Sequence, residues 1–383
     1  MKSSNTVKIN SSGRLVILQV SDPQDMVHVR PAMVKMLDAA YDKVKPDLVL
    51  FTGDNILGNH LLDARIGSRK VASGWRAEYD RMEQSLAHIL NPLEKRGIPF
   101  AMIYGNHDDM NSITKEEQIE IYRKYSMSLP MNTDNPAVDC DTYNIPVMSG
   151  DGKKTLFNIW MLDSAWTDKA QGRGFAEIKE ETVKWYNKTQ KELEKQNGNP
   201  VASLMFLHIP LPVQNELVEA CNKNDKGAVR FKDGSYMRLV PGRASGALGE
   251  PLNVLTTDNG LFESVRANGD VMAVISGHDH SNCFEGEVDG IKIIQTAAAS
   301  FRCYGSNQRG VRVFVLDENK PGEFETYMLH YEDLCGTSAK AKLRYIWDAD
   351  DKIPLKCALI AGTAAVAATA GAFTVKLLKK YKM

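Results

Sequence analysis

The sequence predicts an α/β protein, built as a mixed sheet or two stacked sheets flanked by helices. Three observations predict it. Apolar runs of strand length recur at residues 15–20, 48–52, 98–104, 156–162, 204–208, 271–276, 291–296 and 311–316. Amphipathic stretches with helical spacing separate several of the earlier runs. The later runs lie close together, as the strands of a sheet with short connections do.

Taken in order, the elements have local causes. Residues 31–44 place Met33, Val34, Met36, Leu37 and Tyr41 near one face, and Pro31 suits a first helical turn. Residues 75–96 and 177–195 are long, charged and amphipathic, so they read as helices lying on a sheet surface. Residues 129–151, rich in Pro, Asn, Asp and Gly, read as a loop. Residues 222–253 read as a long, Gly-rich irregular region of the kind that forms lids or substrate walls. No internal repeat is visible. The organisation expected is one domain over 10–334, a linker over 335–352 and a hydrophobic, basic tail helix over 353–383.

Composition narrows the class. A chain of 383 residues, 43% hydrophobic and 25% charged, has the make-up of a soluble globular protein. Its formal net charge of -1 gives no electrostatic reason to expect nucleic acid as a partner. The six cysteines are scattered with no CxxC pair, which points to free thiols in a reducing compartment. The opening stretch MKSSNTVKINSSGRL lacks the apolar centre of a signal peptide, so a cytoplasmic location is expected. The tail is different in kind. Residues 357–375 are 19 consecutive uncharged residues, eight of them Ala, and KLLKKYKM follows. That length suits a bilayer, while the small side chains suit a helix docked on protein. Membrane association through residues 357–383, by spanning or by lying on the surface, stands beside the docked-helix reading.

The chemistry lies at strand ends. The run 98–103 reads as a strand covered on both faces, yet it stops in Gly105, Asn106, His107 and Asp108. One reading is a turn whose Asn and Asp cap the next helix; the other is a site at the carboxyl end of a strand. Four more runs end the same way: RLVILQVSDPQ in Asp22 and Gln24, DLVLFTGDN in Asp54, SLMFLHIPLP in His208, and VMAVISGHDH in His278 and His280. A single such His is ordinarily a hydrogen-bonded surface group. Five strands with the same ending favour a site. Carboxylates and imidazoles bind borderline divalent metals such as Mn, Fe and Zn. A carboxylate shared by two ions holds them about 3.5–4 Å apart, the separation used in phosphoryl displacement. A binuclear metal site is the expectation.

These motifs, D-x-Q, G-D-N, G-N-H-D, a strand-terminal His and G-H-x-H in that order, resemble the calcineurin-like metallophosphoesterases. FTGDNILG, GNHDD, HIPLP and GHDH are most similar to the branch of plant purple-acid-phosphatase-like proteins and the fungal dosage-dependent cell-cycle regulator. The resemblance implies a four-layer α/β/β/α sandwich with its ligands at one edge of paired sheets. It implies one ion on Asp22, Gln24, Asp54 and His280, and a second on Asp54, Asn106, His208 and His278. It gives His107 the role of general acid or transition-state stabiliser, with Asp108 orienting the imidazole. The activity implied is hydrolysis of phosphate monoesters, or of diesters at the same site, by a metal-bound hydroxide. The substrate would be a phosphorylated small molecule or protein, and Mn the favoured ion. A metal-stabilised scaffold protein is the reading from another class. Two departures stand out. Gln24 occupies the place of the usual His, and no Tyr follows Asp54 as a ferric ligand would. Arg65, Arg69, Arg76 and Arg302 are candidates to meet the distal part of a phosphorylated substrate.

Overall fold

The computed structural model describes residues 5–60, 73–131, 135–164 and 177–361. Elements run in chain order as β1 (Val7–Lys8), β2 (Arg14–Val20), α1 (Pro31–Val44), β3 (Leu48–Thr52), α2 (Trp75–Arg96), β4 (Phe100–Ile103), α3 (Lys115–Tyr122), β5 (Tyr143–Met148), β6 (Thr155–Met161) and α4 (Glu180–Asn197). The second half adds β7 (Ser203–Phe206), β8 (Val218–Ala220), β9 (Val229–Arg230), β10 (Tyr236–Leu239), β11 (Ala244–Ala247), α5 (Leu261–Asn268) and β12 (Val271–Ser276). Then come β13 (Cys283–Val288), β14 (Ile291–Gln295), β15 (Gly310–Asp317), β16 (Phe324–His330), α6 (Tyr331–Cys335) and α7 (Ala339–Asp348).

The strands form an eight-stranded sheet ordered β1-β5-β6-β7-β12-β14-β13-β11 and a five-stranded sheet ordered β16-β15-β2-β3-β4. A three-stranded sheet, β8-β10-β9, stands apart. Alternation along the strands shows how the large sheets stack. Ile159 and Met161 of β6, Leu204 and Phe206 of β7 and Ile275 of β12 share one core with Ile17 and Phe314. Their chain neighbours Trp160, Met205 and Val274 belong to a second core with Tyr186 of α4 and Val265 of α5. Phe206 and Phe314 meet edge to face between the sheets, with ring centroids 5.5 Å apart. Apolar faces of α1 and α2, including Met36, Leu37, Leu86 and Leu93, cover the five-stranded sheet. The result is the four-layer α/β/β/α sandwich. A polar bridge also ties the sheets: Gln19 receives the Thr296 hydroxyl at 2.8 Å and donates to Thr52 Oγ1 at 3.0 Å.

Helix ends follow their local chemistry. Pro31 opens α1, and Lys45 in the left-handed conformation closes it. Gly97 and Gly198 end α2 and α4 in the same way. Thr114 and Glu117 form a capping box on α3.

Two stretches read as irregular contain strands. β5 lies within 129–151, where Asn144 and Pro146 disguise the alternation of buried Tyr143, Ile145 and Val147. β9, β10 and β11 lie within 222–253, and their residues are half-buried or exposed, so no apolar run marks them. The segment 335–352, read as a linker, carries α7 and a 3-10 turn over Asp350–Lys352. Polar contacts fasten it, which is why its sequence resembles a solvated connection. Asp348 Oδ2 accepts the Ala32 N–H at 2.7 Å, and Arg30 pairs with Asp350 at 2.7 Å. Residues 353–361 continue as helix. The rest of the tail, 362–383, lies outside the described residues. Among the described residues no helix is long and apolar enough to cross a membrane.

Arg309 joins this C-terminal segment to the body. Fully buried, it donates to Ser300 O at 2.6 Å, Tyr345 Oη at 2.9 Å, Cys303 O at 3.0 Å and Asp351 Oδ1 at 2.5 Å. Arg309→Met keeps the bulk but strands those acceptors. It is expected to lower unfolding stability in urea by about 3 kcal/mol. A change below about 0.5 kcal/mol would show that the fastening lies elsewhere.

Candidate metal centre

The motif residues meet where the two sheets expose their carboxyl ends. β2, β3 and β4 are parallel, so Asp22, Gln24, Asp54, Asn106 and His107 emerge along one edge. β7 and β12 are parallel in the other sheet and deliver His208, His278 and His280. Backbone hydrogen bonds knit the strand ends together. Asp22 N donates to Gly53 O at 3.2 Å, Gln24 N to Asp54 O at 3.0 Å, and Gly277 N to His208 O at 3.1 Å.

The backbone is bent to aim these side chains. Seven non-glycine residues have positive φ among the described residues, and four are Asp22 (48°), Gln24 (32°), Asp54 (50°) and His278 (72°). Each such conformation costs about 1 kcal/mol and persists only where its surroundings dictate it. The motif glycines solve a crowding problem. A Cβ on Gly105 would overlap Asp54 N and Oδ1, and one on Gly277 would overlap Ser21 Oγ beside Asp22 Oδ2.

Hydrogen bonds settle which ring nitrogens face the cluster. His208 Nδ1 lies 3.0 Å from Thr52 O, so it carries the proton and donates. Its Nε2 lies 3.2 Å from Asn106 Oδ1 and 3.4 Å from Asp54 Oδ1. His280 repeats the pattern: Nδ1 meets Tyr304 O at 3.0 Å, and Nε2 lies 3.5 Å from Asp22 Oδ1. The His278 ring sits edge-on to His208, centroids 5.2 Å apart, and its backbone N–H donates to Asp22 Oδ2 at 3.0 Å. Asp54 uses its two oxygens on different sides. Oδ2 accepts from the Gln24 amide at 3.0 Å, while Oδ1 accepts the His107 N–H at 2.8 Å and faces His208.

This donor set fits divalent cations. Metal-competent atoms of Asp22, Asp54 and His208 all lie within 4.8 Å of one another. Asp22 Oδ1 and Gln24 Oε1 are buried acceptors with no hydrogen-bond donor, an arrangement that a bound cation would satisfy. Burial opposes the charge of Asp22, yet the His208 and His280 imidazoles outweigh it and hold the carboxyl below its usual range. Burial likewise opposes Asp54, which His208 and His107 hold far down. Burial opposes the His208 cation too, but Asp54 and Asp22 push it up to about 10. Burial, reinforced by His208, presses His278 down to about 3.

Asp108 does not orient the His107 ring. The His107 Nδ1 atom meets Leu57 O at 3.2 Å. Asp108 instead accepts the backbone N–H groups of Asn55 at 3.1 Å, Ile56 at 3.2 Å and Gly105 at 2.8 Å. It clamps the loop after β3 to the loop after β4, and burial beside Asp54 pushes its carboxyl up to about 8. Arg302 is likewise engaged elsewhere, paired with Asp25 at 2.9 Å. Arg76 is an exposed partner of Asp80, and Arg65 and Arg69 lie outside the described residues.

Sequence reasoning passed over the supporting residues. Tyr304 stacks on His280 with centroids 4.4 Å apart, and its hydroxyl donates to Glu250 at 2.8 Å. Ser300 N donates to Asp22 O at 3.0 Å and its hydroxyl to Gln24 O at 3.2 Å. None carries a strand-end signal, because each acts through a ring face or a backbone atom.

Known proteins are similar to this chain. The sequence matches the family described as Calcineurin-like phosphoesterase over residues 15–282. It is 29% identical over 294 residues to "Probable inactive purple acid phosphatase 29" of Arabidopsis thaliana, covering 72% of this chain and 66% of that protein. It is 26% identical over 313 residues to "Phosphatase DCR2" of Saccharomyces cerevisiae, covering 76% of this chain and 46% of that protein. The chain thus spans just under two thirds of that plant relative and less than half of the yeast one. Among solved structures, a dimetal phosphatase from Danio rerio aligns with a TM-score of 0.48 at 12% identity, covering 83% of this chain and 99% of that one.

The His208 geometry predicts a pH dependence. A metal ligand must be a neutral imidazole, and Asp54 and Asp22 favour the protonated ring up to about 10. Binding an ion at Nε2 therefore expels a proton throughout the neutral range. Apparent Mn affinity, followed by competition with a chromogenic chelator, should rise about tenfold per pH unit between about 6.5 and 8.5. An affinity flat with pH would remove His208 from the ligand set.

Proposed function

The chain belongs to the calcineurin-like phosphoesterase family, and on that premise we propose that it hydrolyses phosphate monoesters at a pair of divalent ions. The observation that supports this most directly is the division of Asp54. Its Oδ2 faces Gln24 and its Oδ1 faces His208 and the His107 N–H. In this reading Asp22, Gln24, Asp54 and His280 hold one ion, and Asp54, Asn106, His208 and His278 hold the other. Such ions supply an activated water and offset charge on the phosphoryl oxygens.

The chain's own residues do the rest. Thr52 O and Tyr304 O fix His208 and His280 so that both present Nε2 to the cluster. Leu57 O engages His107 Nδ1, which leaves Nε2 to carry a proton to the leaving oxygen. Asp108 holds the two loops that bear Asp54 and His107 in register. Three plant relatives bear the word "inactive" in their names. The reading for this chain is turnover, because its ligand set and His107 converge at one edge. The substrate proposed is a phosphorylated small molecule or protein.

Initial rates with Mn on p-nitrophenyl phosphate and on its bis ester test the proposal. Faster turnover of the monoester is expected. Preference for the bis ester makes the site a diesterase, and no turnover of either by metal-loaded protein favours the scaffold reading. His107→Ala should lose about 10²–10⁴-fold in turnover with metal content retained. Asp54→Ala should lose both ions.

Gln24 sets the metal preference. Its amide oxygen makes the first position richer in oxygen, which favours Mn or Fe over Zn there. Gln24→His should therefore reach full activity at a lower free Mn concentration than the wild type, and Gln24→Ala at a higher one. Identical Mn midpoints for all three would remove Gln24 from the site.

A further inference from the structure

Exposed apolar bulk is concentrated at one end of the chain. Of the nine large hydrophobic side chains exposed among the described residues, five are Leu343, Trp347, Ile353, Leu355 and Ile360. Leu343 and Trp347 sit one turn apart on α7, 52% and 59% exposed. On the same helix Ala341 and Asp348 are buried, and Asp348 is fastened to the start of α1. The helix therefore has one face committed to the body and an apolar face turned outward.

Charge on this segment is sorted by sign. The acids point inward and are engaged: Asp348 with Ala32 N, Asp350 with Arg30, and Asp351 with Arg309. Lys340, Lys342 and Arg344 are exposed beside the apolar side chains, Arg344 standing 4.0 Å from Asp348. The exposed acids nearby are Glu332 and Asp333 of α6, and Asp333 accepts the His330 N–H at 2.8 Å. The sequence continues this character, with 19 uncharged residues at 357–375 followed by Lys376, Lys379, Lys380 and Lys382.

We propose that the outward face of α7 and residues 353–360 rests on a lipid bilayer with anionic head groups. Trp347 suits the boundary between head groups and hydrocarbon. Leu343, Ile353, Leu355 and Ile360 supply apolar area, and the exposed lysines meet the negative surface. The exposed Lys340, Lys342 and Arg344 beside the apolar face favour an anionic lipid surface over a second copy of this chain, whose matching face would carry the same cations. Arg309 joins α7, through Tyr345, to the Ser300 carbonyl, and Ser300 in turn contacts the backbone of Asp22 and Gln24. The proposal stands independently of the reaction catalysed.

Flotation of the full chain with vesicles tests it. The chain should float with vesicles of phosphatidylcholine mixed with phosphatidylserine, and less with phosphatidylcholine alone. Leu343→Ser combined with Trp347→Ser should weaken partitioning by about tenfold or more, while the melting temperature and Mn binding stay at wild-type values. A full chain that binds neither vesicle overturns the proposal. So does a double variant that floats as well as wild type. A wild-type dimer that becomes monomeric in the double variant, without flotation of either, assigns the face to a second copy instead.

Discussion

The Asp54 carboxylate is the group on which the functional edge depends. Burying a charged carboxylate without compensation costs several kcal/mol, and this one is essentially inaccessible to solvent. Its surroundings are built to offset that cost. The His107 N–H, the Gln24 amide and the His208 ring converge on its two oxygens. Gly105 carries no Cβ because Asp54 occupies that space. Asp108 then secures the adjoining loop through three backbone N–H groups. A second buried carboxylate thus exists largely to keep the first in place.

The stacked sheets supply the other requirement, which is convergence. Each sheet brings only part of the polar cluster. Asp22, Asp54 and Asn106 follow strands of the smaller sheet, and the three imidazoles follow strands of the larger one. The contact between Phe206 and Phe314 and the bridge from Gln19 to Thr296 set the spacing between them. Core packing and the geometry of the edge are therefore linked, and damage to the sheet interface is felt there.

The sequence made the edge legible because buried strands are apolar throughout, so a polar strand ending is conspicuous. Asp22, Asp54, Asn106, His208 and His280 could be named on that ground, and the structure gathers them. Whatever depends on loop trajectory was not legible. Asp108 sits one residue from His107, yet its side chain turns to the backbone of residues 55 and 56. Tyr304 and Ser300 act through a ring face and backbone atoms. β5 was obscured by Asn144 and Pro146, and α7 by a polar composition whose acids are in fact engaged by Arg30, Arg309 and Ala32.

The chain path has a consequence for biosynthesis. β2, among the first strands made, lies between β3 and β15, and β15 is among the last. Ser300, whose hydroxyl supports the Gln24 carbonyl, is 276 residues further along the chain. At a synthesis rate of about 5–20 residues per second, that separation is roughly 15–55 s. Until His208 and His280 are made, Asp22 lacks the imidazoles that offset its charge, and until β15 is made its sheet lacks a strand that pairs with β2. The buried polar cluster around Asp22 is thus assembled only after His278, 256 residues further along the chain, has been made.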